Sequence, residues 1–313
     1  MKYIADLREG DRVIGHYLCR RKETLKSAAG KEYMSLKLCD KTGAIDAKIW
    51  DFTPDIQNFD EYDYVKIDGF VTLYRDNFQL KITRLRKSSD DEYDVSDYAA
   101  VAEKDIEELF DGLLRFIESV ENPHMRGLLK AIIEDDEEIR QALHSRSAAK
   151  SMHHSYIGGL LEHTLSVAQI CDFMSGRHKN VNRDLLITIA ILHDIGKVYE
   201  LSDFPYNDYT DVGKLLGHSY IGAELIAKEA AKLPDFPENL CCLLKHCLIS
   251  HHGEYEFGAA KRPKILEAFI LHCADDMDAK INAFEEELKN SCHKTEWTGF
   301  SRCFERNLRK TDL

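Results

Sequence analysis

His193 and Asp194 stand side by side at the end of an apolar run, Ile189-Ala-Ile-Leu-His193-Asp194-Ile-Gly-Lys197. An imidazole nitrogen beside a carboxylate oxygen makes a mixed donor pair that suits Mn, Fe, Co, Ni or Zn better than Ca. Lys197, four residues beyond His193, is expected on the same helical face, from where it can reach an anion held by such a cation. Taken alone, the pair reads equally well as a helix ending in a polar turn. The remaining donors decide between the two.

Those donors are present. Of the 14 histidines only His16 precedes residue 124. Gly158-Gly-Leu-Leu-Glu162-His163-Thr enters a helix that sets His163 among Leu161, Leu165 and Val167. Gly217-His218 opens another helix, Ser250-His251-His252-Gly253 follows the helix of Leu240–Leu248, and Asp275 lies on a long apolar helix that begins near Leu266. Each has an ordinary explanation singly. Together, His163, His193, Asp194, His218, His251, His252 and Asp275 load separate helices with groups that are costly to bury without partners. Bound cations turn that cost into binding energy. Seven N/O donors exceed the needs of one open metal site and suit two cations bridged by a carboxylate, a device for in-line attack on phosphoesters when the ions are roughly 3.5–4 Å apart.

These donors need a helical frame, and residues 103–313 read as one, with a core at about 150–290. Ile106, Leu109, Phe110, Leu113, Leu114 and Ile117 fall on one face, Asn122-Pro123 breaks the pattern, and 125–133 and 137–143 resume it. The chain in front reads differently. Residues 1–88 show five β-patterned stretches, 11–19, 32–39, 44–50, 64–74 and 78–85, with a turn at Arg75-Asp-Asn77 and a longer gap at 51–63. That spacing predicts the small all-β barrel of the OB-fold, with a helix or loop in the gap. Residues 89–102, acidic and Ser-rich, read as a linker.

The first 88 residues carry 17 Lys+Arg against 14 Asp+Glu, a net of +3, and the rest 25 against 41, a net of −16, within a formal charge of −13. Such a chain does not adhere broadly to polyanions, so any nucleic-acid contact is local. On a barrel of this kind single strands stack on aromatics while cations track the backbone. Tyr33, Trp50, Phe52, Tyr74 and Phe78 are the candidate platforms, and Lys37, Lys48, Arg75 and Lys81 the candidate cations. Nine scattered cysteines, an odd number, indicate reduced thiols in a cytoplasmic protein rather than a disulfide framework. No apolar run is long enough to span a membrane. The tail beyond Lys289, with Trp297, Phe300 and Phe304, packs either on its own domain or on a second copy, and a homo-oligomer stays open.

The order of these donors resembles the HD superfamily of metal-dependent phosphohydrolases in its dinuclear form. More narrowly, Gly158–Thr164, His193–Lys197, Gly217-His218, Ser250–Gly253 and Ala274-Asp-Asp-Met-Asp-Ala-Lys280 resemble the YhaM-type 3′→5′ exoribonucleases, in which an OB-fold precedes the HD domain. The resemblance implies one metal held by His163, His193, Asp194 and Asp275, and a second by His218, His251 and His252, with Asp194 bridging. It implies Mn²⁺, with Co²⁺ able to serve; Fe²⁺ or Ni²⁺ would be accepted by the same donors. The implied reaction removes nucleoside 5′-monophosphates from the 3′ end of single-stranded RNA; whether ssDNA also serves depends on whether the site reads a 2′-OH, which no residue reveals. Lys197 would add positive charge to the transition state, and His154 and Glu162 are candidates for leaving-group protonation or for support behind the ligands. Two other readings compete: an HD phosphohydrolase of nucleotides or cyclic dinucleotides, and a non-catalytic single-strand-binding protein.

Overall fold

Alternating burial along five strands closes the first part of the chain on itself. In a computed structural model the described residues are 2–27, 30–74, 77–99, 101–102, 104–149, 154, 156–289 and 296–311. They divide into two units, Met1–Val101 and Ala102–Leu313. In the first, β1 (Arg12–Lys26), β2 (Glu32–Asp40), β3 (Gly43–Ile49), β4 (Tyr64–Tyr74) and β5 (Asn77–Lys87) form a closed barrel in the order β1-β2-β3-β5-β4. β1 is long enough to serve two neighbours. Its first half pairs with β4 and its second with β2, and the register shift between Cys19 and Arg21 marks where it turns from one to the other.

The inward positions Val13, Tyr17, Leu36, Leu38, Ala47, Ile49, Ile67, Leu80 and Leu85 fill the barrel. The gap at 51–63 holds no helix. It is a loop that closes one end of the barrel, with Ile56 bridged to Leu85 and Phe59 buried.

The stretch expected to be a linker is instead packed on the barrel from Ser89 to Tyr98. Tyr93 stacks on Tyr64 at 3.9 Å between ring centroids, Tyr98 meets the same ring edge-on at 4.8 Å, and Arg86 donates two 2.6 Å hydrogen bonds to Glu92. Its acidic composition hid these few anchors. Arg75, a candidate cation of the β4–β5 turn, lies outside the described residues.

The second unit is helical: α1 (Ile106–Glu118), α2 (Pro123–Leu129), α3 (Glu137–Ser145), α4 (Gly159–Arg177), α5 (Arg183–Leu192), α6 (Lys197–Glu200), α7 (Asp211–Leu216), α8 (His218–Ala230), α9 (Glu238–Ser250) and α10 (Leu266–Lys289). A π-helical turn, Lys130–Glu134, continues α2. Asn122 caps α2 through its side chain with Pro123 at the first position, which is why the sequence breaks there. α5 is buried at every residue from Leu185 to Leu192 and packs against α1, α2, α4, α9 and α10. No described helix is long and apolar enough to cross a membrane.

The region is not helical to its end. β6 (Trp297–Ser301) and β7 (Arg306–Arg309) make an antiparallel hairpin, as β-forming residues around a short turn favour. Phe304 packs against Phe284 of α10 at 5.1 Å and Ser301 donates a 3.1 Å hydrogen bond to Glu287, so this part of the tail covers its own domain.

Candidate metal centre

Each predicted donor sits at a helix end or on a buried helical face. His163 is on the inner face of α4. α5 stops at Leu192, so His193 and Asp194 occupy the turn between α5 and α6. That turn lies so close to α8 that a Cβ on Gly196 would come within 2.0 Å of the His218 carbonyl oxygen, and only glycine permits the approach. His218 thereby begins α8 beside Asp194. His251 and His252 occupy the turn after α9, and Asp275 lies on α10. His163, His193, Asp194 and His251 are at most 2% exposed.

The donors form two groups about one carboxylate. Nε2 of His163 and Nε2 of His193 are 3.3 Å apart, and the former lies 3.1 Å from Asp275 Oδ1. Nε2 of His218 lies 3.4 Å from that of His251 and 3.2 Å from that of His252. Asp194 stands between. Its Oδ2 is 3.6 and 3.4 Å from His163 and His193, and its Oδ1 is 3.4 and 3.8 Å from His218 and His251. Oδ1 is buried and makes no hydrogen bond among the described residues. An orphaned carboxylate oxygen amid imidazole nitrogens has the chemistry a divalent cation satisfies, so the donor set fits such ions.

The protonation states agree with that fit. Burial would raise the Asp194 pKa, but Lys197, His193 and His218 hold it well below the usual carboxylate range. Asp275 is held low in the same way, against burial, by His163, His193 and His251. Burial, with His252 and His218 adding to it, drives His251 well below an ordinary imidazole, and burial and His218 lower His252. These groups are therefore ionised carboxylates and neutral imidazoles, the forms that bind metal. His163 differs: burial opposes its protonation, yet Asp275 and Asp278 push its pKa up to about 9. A cation bound there would replace that proton.

Lys197 does not share a helix with His193: the four turn residues 193–196, His193 among them, separate α5 from α6, where Lys197 is the first residue. Its Nζ nevertheless donates a 2.7 Å hydrogen bond to Asp194 Oδ2, and it lines a pocket of about 350 Å³ together with Asp194, His218, His252 and Asp275. His154 and Glu162 are elsewhere. His154 Nε2 is 3.1 Å from Asp278 Oδ2, its Nδ1 is 2.8 Å from the Tyr156 hydroxyl, and that hydroxyl donates to Glu162 at 2.8 Å. Neither lines the pocket; both belong to a hydrogen-bonded chain that runs from Asp278 through His154 and Tyr156 to Glu162.

Two groups escaped the sequence reading as site residues. Asp278 Oδ2 accepts from His163 Nδ1 at 2.7 Å, and Glu200 faces His218 Nδ1 at 3.0 Å and accepts from its backbone N–H at 2.9 Å. Asp278 carried a usable signal, one helical turn after Asp275. Glu200 carried none, being an acid in a short polar stretch.

On the barrel, the β2–β3–β5 pairing sets Tyr33, Lys37, Lys48 and Lys81 on the outer face. Tyr33 stacks on Trp50 at 4.5 Å, with the Lys48 ammonium 5.6 Å from its ring, and Lys37 pairs with Asp46 at 3.3 Å. Tyr74 and Phe78 flank the β4–β5 turn. Trp50, Phe52, Tyr74 and Phe78 are exposed and Tyr33 is half-buried, and none of the five belongs to the barrel core.

A helical domain with these donors belongs to the HD class, and the family model of the HD domain matches residues 160–280. The chain as a whole belongs to the YhaM family of 3′-5′ exoribonucleases. It is 36% identical to 3′-5′ exoribonuclease YhaM of Geobacillus sp. (strain WCH70), over 83% of this chain and 80% of that protein. It is 33% identical to the protein of that name from Listeria monocytogenes serotype 4b (strain CLIP80459), over 93% and 92%. Among solved structures, the second OB-fold domain of replication protein A from Methanococcus maripaludis is similar to 28% of the chain, at 18% identity, 92% coverage of that domain and a TM-score of 0.23.

Proposed function

We propose that the protein is a metal-dependent 3′-5′ exoribonuclease that shortens single-stranded RNA one nucleotide at a time, with Asp194 bridging two divalent cations, Mn²⁺ in the first instance. The observation that carries this reading is the Asp194 carboxylate between two groups of imidazoles, with its buried Oδ1 unpartnered among the described residues. His163, His193 and Asp275 would hold one ion with Asp194 Oδ2, and His218, His251 and His252 the other with Oδ1. When bound, such ions activate water and neutralise the non-bridging oxygens of a phosphodiester.

The chain's own residues do the rest. Lys197 anchors the bridging carboxylate and keeps a positive charge on the pocket wall, where charge develops on the transferring phosphoryl group. Backbone carbonyls of Ala190, Leu248 and Phe257 accept from Nδ1 of His193, His251 and His252, which aims each Nε2 inward. Tyr33, Trp50, Tyr74 and Phe78, with Lys37, Lys48 and Lys81, would hold the strand upstream, and ssDNA would use the same face.

End-labelled RNA incubated with Mn²⁺ tests the reading. A one-nucleotide ladder receding from the 3′ end, abolished by Asp194→Ala, is the expected outcome. Hydrolysis of mononucleotides or cyclic dinucleotides with no ladder on RNA would assign the chain to small-molecule phosphohydrolysis.

A further inference from the structure

The pocket over Asp194, at about 350 Å³, is near the small end of ligand pockets. Part of its lining is ionic: Asp194, Lys197 and Asp275. Tyr209 and Phe257 line the same pocket, and they are 43% and 62% exposed. An aromatic ring left in water on an open surface is ordinary. Two of them in one small pocket beside ionised groups are not explained by core packing, since neither belongs to a buried cluster.

Both rings ride on backbone tied to the candidate ligands. The Phe257 carbonyl accepts the 3.0 Å hydrogen bond from His252 Nδ1. Tyr209 forms a β-bridge with Leu201, the residue after Glu200, and Glu200 in turn holds His218. Each ring is thereby carried on backbone at, or next to, a residue that holds a candidate ligand.

We propose that Tyr209 and Phe257 form a stacking platform for a nucleobase, that of the nucleotide whose phosphate lies against Asp194 and Lys197. This rests on the nucleotide-phosphate reading of the site given above. Phosphate and base belong to one nucleotide, so a pocket this small that takes the phosphate on its ionic wall brings the base to the aromatic one. Every base has a π-face, so stacking accepts all four. An enzyme that removes successive nucleotides regardless of sequence needs that tolerance, and hydrogen bonds to base edges would deny it.

The test is calorimetric binding of AMP and of ribose 5-phosphate to the full-length protein loaded with Mn²⁺. The two ligands share the phosphate and ribose and differ in the base. Wild-type protein is expected to bind AMP about 5- to 150-fold more tightly, the value of one stacked base. Tyr209→Ala/Phe257→Ala should bring AMP to the level of ribose 5-phosphate while leaving Mn²⁺ stoichiometry unchanged, and Phe257→Trp should keep the preference. Equal affinities in the wild type, or a full preference in the double variant, overturn the platform. Retained AMP preference without a 3′ ladder on RNA would support the platform and overturn the exonuclease reading instead, so the two failures are distinct.

Discussion

Five imidazoles form the two groups about Asp194, four of them within 4 Å of its carboxylate, and each is tethered at Nδ1. Three tethers are backbone carbonyls, which can only accept, so Nδ1 carries the proton and Nε2 keeps its lone pair for the ion. The other two are carboxylates, one per group: Asp278 behind His163 and Glu200 behind His218. A carboxylate tether fixes the ring and raises its basicity, and losing one typically costs 10–100-fold in metal affinity. Asp278→Asn is therefore expected to weaken one Mn²⁺ site by about that factor and Glu200→Ala the other, as read by manganese paramagnetic resonance during titration. Unchanged affinity at both sites would refute this division. Asp194→Ala removes a donor from both groups at once, and its Mn²⁺ stoichiometry should fall further than that of either single variant.

At the scale of elements, the centre depends on turns more than on helices. α5 stops one residue before His193, and the turn that follows brings α6 against the start of α8 with no room for a side chain at Gly196. Gly196→Ala would force these two backbones apart, at a cost of about 1–3 kcal/mol or more. It should lower the melting temperature of the helical unit and weaken the His218 site together; a variant with wild-type stability and Mn²⁺ affinity would contradict the close approach. In the barrel, Arg86, with the Ser89 backbone N–H assisting, lowers the Glu92 pKa to about 2 from an ordinary 4.5. A carboxyl depressed on folding stabilises the fold above its unfolded pKa, and the stabilisation fades as pH falls from about 4.5 through about 2. Glu92→Gln should therefore be less stable than the wild type at pH 7, with the gap closing on acidification. Hydrogen exchange in β4 and β5 across that range measures it.

The whole molecule joins a chemistry-bearing helical unit to a barrel with an aromatic and basic outer face. Deleting residues 1–101 should reduce activity on long single strands far more than on a dinucleotide, because only long substrates reach a second surface; equal losses on both would remove the barrel from substrate handling. Mn²⁺ at 100 times its dissociation constant should stabilise the helical unit by about 2.7 kcal/mol and leave barrel unfolding where it is. Differential scanning calorimetry with and without chelator separates the two transitions.

Much of this was legible in one dimension. Strand alternation foretold the barrel, and the periodic apolar faces foretold the helices. The seven candidate donors could be singled out because His and Asp are costly to bury, so their presence in apolar runs needs an explanation local pattern can flag. The hairpin at 297–309 and the packing of Ser89–Tyr98 were missed, since a few aromatic anchors in polar sequence carry no period. What only tertiary structure decided was the division of labour: which Asp194 oxygen faces which imidazoles, that Glu200 and Asp278 stand behind them, and that Lys197 holds the carboxylate. Apart from Lys197 and His193, which are close to Asp194 in the chain, these are relations between side chains 18 to 115 residues apart, set by how turns and helices pack.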